Sequence, residues 1–133
     1  MIKPQHKHII IRALCEKPPR DCDVAKDWWN ELVDSIGMAK LDLPENPICG
    51  YVDTPGNAGL TICGIIETSH IAMHVWDESS PALIQLDVYT CSSLDKNKVF
   101  EALDEFDPVK VEYKQFDREY AIKEETNGFK EIY

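Results

Sequence analysis

Glu67-Thr68-Ser69-His70-Ile71-Ala72-Met73-His74-Val75-Trp76-Asp77-Glu78, followed after three residues by Ala82-Leu83-Ile84-Gln85-Leu86-Asp87-Val88-Tyr89-Thr90-Cys91, is the stretch that decides the fold. Both segments alternate with a period of two, the pattern of a strand with one buried face. In the first, Ile71, Met73 and Val75 oppose His70, Ala72, His74 and Trp76. In the second, Ala82, Ile84, Leu86 and Val88 oppose Gln85, Asp87, Tyr89 and Cys91. The aliphatic set suits a helical layer. The other face is polar yet carries Trp, Tyr and Cys, as expected of a site or of a second sheet packed over it. Ser69, His70, His74 and Cys91 thus read as a hydroxyl, two imidazoles and a thiol converging on one sheet face, a set suited to covalent chemistry.

Working outward, His8 to Cys15 is a β-branched run that reads as a strand, broken by Pro18-Pro19. Asp23 is expected to cap a helix running to about Ile36, with Ala25, Trp28, Trp29, Leu32 and Val33 at helical spacing and Gly37 as its stop. The tryptophans read as core. Met38 to Leu43 reads as a strand, followed by a stretch broken at Pro44 and Pro47. Thr54-Pro55-Gly56-Asn57 marks a turn, and Leu60 to Glu67 a further strand. Asp95 to Phe106 fits a second helix, with Val99, Phe100, Leu103 and Phe106 on one side. Val109 to Phe116 reads as the last strand, and the charged tail from Lys123 as frayed. Two helices cannot cover both faces of such a sheet. The expected fold is α+β: one domain over residues 1–133, a two-layer sandwich of a mainly antiparallel sheet with two helices on one face, dimerised through the open sheet face.

Net charge is −10, from 24 acidic and 14 basic residues, and no basic cluster marks a nucleic-acid surface. Such a field favours small cationic substrates. No run approaches the ~18–20 apolar residues of a membrane span, and Met1 to His8 lacks the apolar stretch of a signal peptide, so a cytoplasmic protein is expected. Cys15, Cys22, Cys49, Cys63 and Cys91 are odd in number and form no C-x-x-C pair, which argues against a disulfide framework and a zinc ribbon. Each reads as a small buried apolar residue, with Cys91 the one in a reactive setting. His70 and His74 have helical zinc spacing, but on a strand they stand ~13 Å apart, and no metal is expected. No G-x-S-x-G elbow surrounds Ser69, and a Cys91–His74 nucleophile pair stays open.

The segment Ser69-His70-x-x-x-His74-x-Trp76-x-Glu78 resembles the processing and active-site segment of the short bacterial S-adenosylmethionine decarboxylases. Leu86 to Cys91 is similar to that family's strand ending in a catalytic cysteine. Gly59-Leu60-Thr61 stands where the family has glycine, an aliphatic residue and a processing serine. The resemblance implies a self-processing enzyme whose cofactor is a pyruvoyl group generated from Ser69. Decarboxylation leaves a carbanion, and a carbonyl joined to the substrate amine is the electron sink it needs. The resemblance further implies cleavage between Thr68 and Ser69, with His74 as the processing base and Thr61 as supporting hydroxyl. Cys91 would reprotonate the product carbon, Glu78 would bind the ribose hydroxyls, and Tyr51 would stand in for an adenine-stacking aromatic. The substrate implied is S-adenosylmethionine, and the product the aminopropyl donor for spermidine synthesis.

The chain departs from the family pattern at Thr68, where glutamate is common, at Thr61, where serine is common, and at Arg12-Ala13-Leu14 in the first strand. Two alternatives follow. One is a pyruvoyl-dependent arginine or ornithine decarboxylase of the same family. The other, of a different class, is an unprocessed, non-catalytic regulatory subunit.

Overall fold

The computed structural model describes residues 5–130; the first four residues, part of the segment read as lacking a leader, lie outside it. In chain order the elements are β1 (Lys7–Cys15), α1 (Cys22–Ser35), β2 (Ile48–Val52), β3 (Gly59–Ile66), β4 (Ser69–Trp76), β5 (Ala82–Thr90), α2 (Lys96–Leu103), β6 (Pro108–Asp117) and β7 (Lys123–Lys130). The strands make one antiparallel sheet in the order β2-β3-β4-β5-β1-β6-β7. This is the expected α+β architecture.

Strand alternation selects the buried face. Ile71, Met73 and Val75 of β4, Ile84, Leu86 and Val88 of β5, and Ile9, Ile11 and Ala13 of β1 join one core with Trp28, Trp29 and Leu32 of α1 and Val99, Phe100 and Leu103 of α2. Trp29 is fully buried, and its indole N–H donates to the Ile71 carbonyl at 3.1 Å. Its ring lies over β3 where that strand has no side chain: a Cβ on Gly64 would stand 2.3 Å from a Trp29 ring carbon. Gly59, with φ +153°, is tighter still, for a Cβ there would fall 1.7 Å from the Val75 carbonyl oxygen. Neither backbone can yield without breaking the β3–β4 ladder. Gly59→Ala is therefore expected to destabilise the chain by about 2–4 kcal/mol, read from the urea midpoint.

Four expectations need correction. The cap of α1 is Asp21, whose carboxylate accepts from the N–H groups of Asp23 and Val24 at 2.7 and 3.3 Å. Met38 to Leu43 is no strand: it makes one isolated bridge, Lys40 to Ile66, alongside the part of β3 that β2 does not reach. The tail from Lys123 does not fray but pairs with β6 as the edge strand β7. Its charges belong to an edge exposed to water, where they discourage pairing with other chains. Finally, Cys22 at the start of α1 and Cys49 of β2 are joined as a disulfide, and Cys63 is exposed. Only Cys15 is a fully buried free thiol among the five. No helix is long and apolar enough to cross a membrane among the described residues.

The second helix ends in a short 3-10 turn, Asp104–Phe106, and begins at the N-cap Asp95, which accepts from the Asn97 N–H at 3.0 Å.

Candidate active site

Ser69 opens β4 directly after the β3–β4 turn. Its N–H donates to the Glu67 carbonyl at 2.8 Å, spanning Thr68 alone, the bonding pattern of a γ-turn. The Thr68–Ser69 peptide therefore sits at the tightest point of the chain reversal. Ser69 Oγ accepts the Cys91 N–H at 3.1 Å, and the residue is 7% exposed. An oxygen held as acceptor keeps its own proton and a second lone pair free, which is what a nucleophile needs. Cys91 lies one residue past the end of β5, half-buried, and packs on the edge of the core.

The remaining candidates lie at the other end of the strands. Thr61 of β3 faces His74 of β4 in register, with Thr61 Oγ1 and His74 Nδ1 3.1 Å apart. The His74 ring is exposed and lies 6.2 Å from that of Trp76, whose indole N–H donates to Asn57 Oδ1 at 2.9 Å. Glu78 accepts the N–H groups of Gly56 and Ala58, one on each carboxylate oxygen, at 3.0 and 2.9 Å. These two bonds hold its carboxyl below the usual carboxylate range. Tyr51 donates to the Asp77 carboxylate, at 2.9 and 3.0 Å from its two oxygens, and that bond raises the phenol above its ordinary value. Arg20 lies 3.8 Å from the same carboxylate.

The site residues thus fall into two groups. Thr68, Ser69 and Cys91 meet at one end of β4; Thr61, His74, Glu78 and Tyr51 gather around the other. Five steps along the strand separate Ser69 from His74, ~17 Å at strand rise. Ser69 also has the parity of the buried Ile71 and Met73, whereas His74 has that of the open face. The expected convergence of Ser69, His70, His74 and Cys91 on one face does not occur within a single chain. An odd number of residues between two strand positions places them on the same side, and Ser69 to His74 has four.

Two predictions follow from these surroundings. Glu78 is ionised when it fastens the turn at residues 56–58, and its folded pKa lies below the ordinary 4.5. Its contribution is complete above the unfolded value and is lost as pH falls through the lower folded one. Glu78→Gln should therefore destabilise the chain at neutral pH and by less in acid, seen as a flatter acid limb in thermal melts. The thiols should separate by reactivity. Burial pushes Cys15 from 9.0 up to about 12, lowering its thiolate fraction about a thousandfold at neutral pH. Alkylation of the folded protein should label Cys63 first, Cys91 more slowly, and Cys15 only after unfolding, as read by peptide mass.

A third cluster, marked by no sequence motif, lies on the open face of β1, β4 and β5. His8 and His70 both pair with Tyr89 across the sheet, and Asp87 stands two residues before Tyr89. His8 Nε2 is hydrogen-bonded to Asp87 Oδ1, and His70 Nε2 lies 3.8 Å from the same oxygen. Arg118 reaches His8 Nδ1 at 3.1 Å and covers the Tyr89 ring at 4.4 Å. Alternation already put His70 and Asp87 on open faces; what the sequence does not carry is the register that brings β1, with His8, beside β5. Next to this cluster runs a groove of about 470 Å³, whose lining includes Ile10, Arg12, His74, Gln85, Asp87 and Glu112.

The described residues thus form a two-layer α+β domain with a serine opening β4 after the β3–β4 turn, a cysteine just past the neighbouring strand and a hydroxyl–histidine pair across the sheet. The family model described as S-adenosylmethionine decarboxylase matches residues 12–119. The chain belongs to that family, and its function is of the S-adenosylmethionine decarboxylase type, which implies a pyruvoyl-dependent decarboxylase.

Proposed function

We propose that this chain cleaves itself between Thr68 and Ser69 and then decarboxylates S-adenosylmethionine, supplying the aminopropyl donor for spermidine synthesis. The observation that carries the proposal is the Thr68–Ser69 peptide itself: it closes the two-residue β3–β4 turn through a hydrogen bond that spans Thr68 alone, with Ser69 Oγ fixed beside it by the Cys91 N–H. Ser69 Oγ attacks the Thr68 carbonyl carbon, the C–N bond breaks, and an ester replaces the amide. A base then takes the Ser69 α-proton and the Thr68 carboxylate leaves. Hydrolysis of the resulting enamine releases ammonia and leaves a pyruvoyl end on residue 69.

The residues present fit that group. Ser69 is almost enclosed, so the carbonyl formed there is shielded from bulk water; Cys91, whose backbone N–H reaches Ser69 Oγ, is the proton donor of the proposal. The group supplies an electron sink for the carboxylate's bonding pair. The chain's own task is to bind the substrate cation, which its charge of −10 favours, and to move protons at Cys91 and His74.

We further propose that the site is completed by a second copy. His74, with Thr61 beside it, is the processing base of the proposal, yet it stands ~17 Å along the strand from Ser69. A two-fold axis between two open sheet faces and perpendicular to the strands reverses strand direction and lays the Thr61–His74 end of one copy over the end of β4 that carries Ser69 in the other. With the Ser69 hydroxyl turned to the core side, the group for His74 of the second copy to meet there is the Ser69 α-proton. Ile10, Ile48, Val52, Ile65 and Phe129, all exposed, lie on that face by register and give it apolar surface to bury.

A second reading, arginine or ornithine as substrate, draws on Glu78. Both of its oxygens already accept backbone N–H groups, which leaves less of the carboxylate for a ribose diol. Intact mass of the purified protein tests the cleavage, and a single mass for the whole chain after prolonged incubation would leave the non-catalytic reading. Carbon dioxide release from labelled S-adenosylmethionine, arginine and ornithine tests the substrate. Release from arginine or ornithine alone would remove S-adenosylmethionine and leave the mechanism.

A further inference from the structure

We infer that His8, His70 and Asp87 form a binding site for a divalent transition-metal ion of the zinc type. The three residues come from β1, β4 and β5, neighbours in the sheet, and face the same side. One ligand atom from each can be chosen so that all lie within 4.8 Å of one another. Donors around a tetrahedral zinc ion with bonds of about 2.0–2.2 Å stand roughly 3.3 Å apart. The 3.8 Å between His70 Nε2 and Asp87 Oδ1 is therefore close to a bound geometry. His8 needs only to trade its hydrogen bond with Asp87 for the ion. Two imidazoles and one carboxylate match zinc, cobalt or nickel better than magnesium or calcium, which prefer all-oxygen shells. The ladder fixes all three backbones, so little ordering is required on binding. Each ligand is half-buried in the single copy, leaving a fourth position for water or, where the open faces pair, for a donor of the second copy.

Arg118 makes the inference specific. A guanidinium only donates, so with Arg118 at 3.1 Å from Nδ1 the His8 proton sits on Nε2, directed at Asp87. That is the metal-free state. A metal ion requires the Nε2 lone pair, which moves the proton to Nδ1 and expels the guanidinium. Arg118 is exposed and lies just beyond β6, so it can swing away at the cost of its contact with the Tyr89 ring. The arginine and the ion therefore compete for His8. Replacing Arg118 should strengthen metal binding, whereas replacing a ligand should weaken it.

The test uses the full chain after dialysis against a chelator, titrated with Zn²⁺ by calorimetry and with Co²⁺ by visible absorption. One ion per chain is expected. His8→Ala and Asp87→Asn should each weaken binding at least tenfold or so. Arg118→Gln should tighten it about fivefold, the effect of removing one partly screened positive charge. Ser69→Ala should bind as the parent does, whether or not the parent cleaves itself, because Ser69 is not a ligand. Failure of the site is thus distinct from failure of the proposed processing. Melting of each variant without metal separates loss of ligand from loss of fold, and if His8→Ala does not fold, Arg118→Gln decides alone. Absence of binding, unchanged affinity in the ligand variants, a thiolate-to-cobalt charge-transfer band, or weaker binding by Arg118→Gln would each overturn the inference.

Discussion

Ser69→Ala is expected to give one full-length chain with no decarboxylase turnover, however long it is incubated. Alanine has no hydroxyl to attack the Thr68 carbonyl, so the acyl shift cannot begin and no carbonyl is generated to accept the substrate's electrons. The loss is complete, because the pyruvoyl group is built from the α- and β-carbons of Ser69 and no other hydroxyl can supply it; Thr61 is in any case at the far end of the β3–β4 ladder, paired with His74. Thr68 would have to attack its own carbonyl. The substitution also leaves the Cys91 N–H without its acceptor. An unsatisfied, partly buried donor costs about 1–3 kcal/mol, so the variant should melt a few degrees lower but remain folded. Gel electrophoresis, intact mass and carbon dioxide release together check the result. The parent's second fragment should resist stepwise sequencing, which needs a free amine, and any cleavage of the alanine variant would show that Ser69 is not the nucleophile.

The core was legible because period-two alternation is a local property. Ile71, Met73 and Val75, and Ala82, Ile84, Leu86 and Val88, are buried as their spacing predicts, and the tryptophans of α1 pack where a helical face requires. The elements that escaped notice, β2 and β7, are the two sheet edges. An edge strand draws its order from one neighbour and meets water elsewhere, so its composition need not alternate. Ile48-Cys49-Gly50-Tyr51-Val52 is short and interrupted by glycine, and Lys123 to Lys130 is largely charged. Met38 to Leu43 misled in the opposite sense, with apolar residues but only one bridge to β3.

The candidate site was legible as a set of residues and illegible as an arrangement. Motif spacing brought out Ser69, His74 and Cys91, but chain proximity made Ser69 and His74 look like partners. Five steps along an extended strand separate side chains far more than five steps along a helix do, and an odd step changes the face. Conversely, His8 and His70 are distant in sequence and adjacent in space, because register is set by long-range pairing.

The same separation gives the sharpest consequence of the proposed function. His74→Ala alone should permit ester formation but stall elimination, leaving a chain that hydroxylamine splits at Ser69. Ser69→Ala alone cannot start. If each catalytic unit takes Ser69 and Cys91 from one copy and Thr61 and His74 from the other, the two inactive variants repair one another when co-expressed. Half of randomly paired dimers are then mixed. Each mixed dimer carries one site with both residues intact and one with neither, so about a quarter of parental activity should return. Cleavage should appear only in the His74→Ala chains, which mass spectrometry identifies by their own fragments. If His74 served Ser69 within one chain, no pairing could restore either variant, and co-expression would yield only whole or stalled protein. That outcome would rule out a site shared between copies. His70, the imidazole next to Ser69 in the chain, would then be the base to test by substitution.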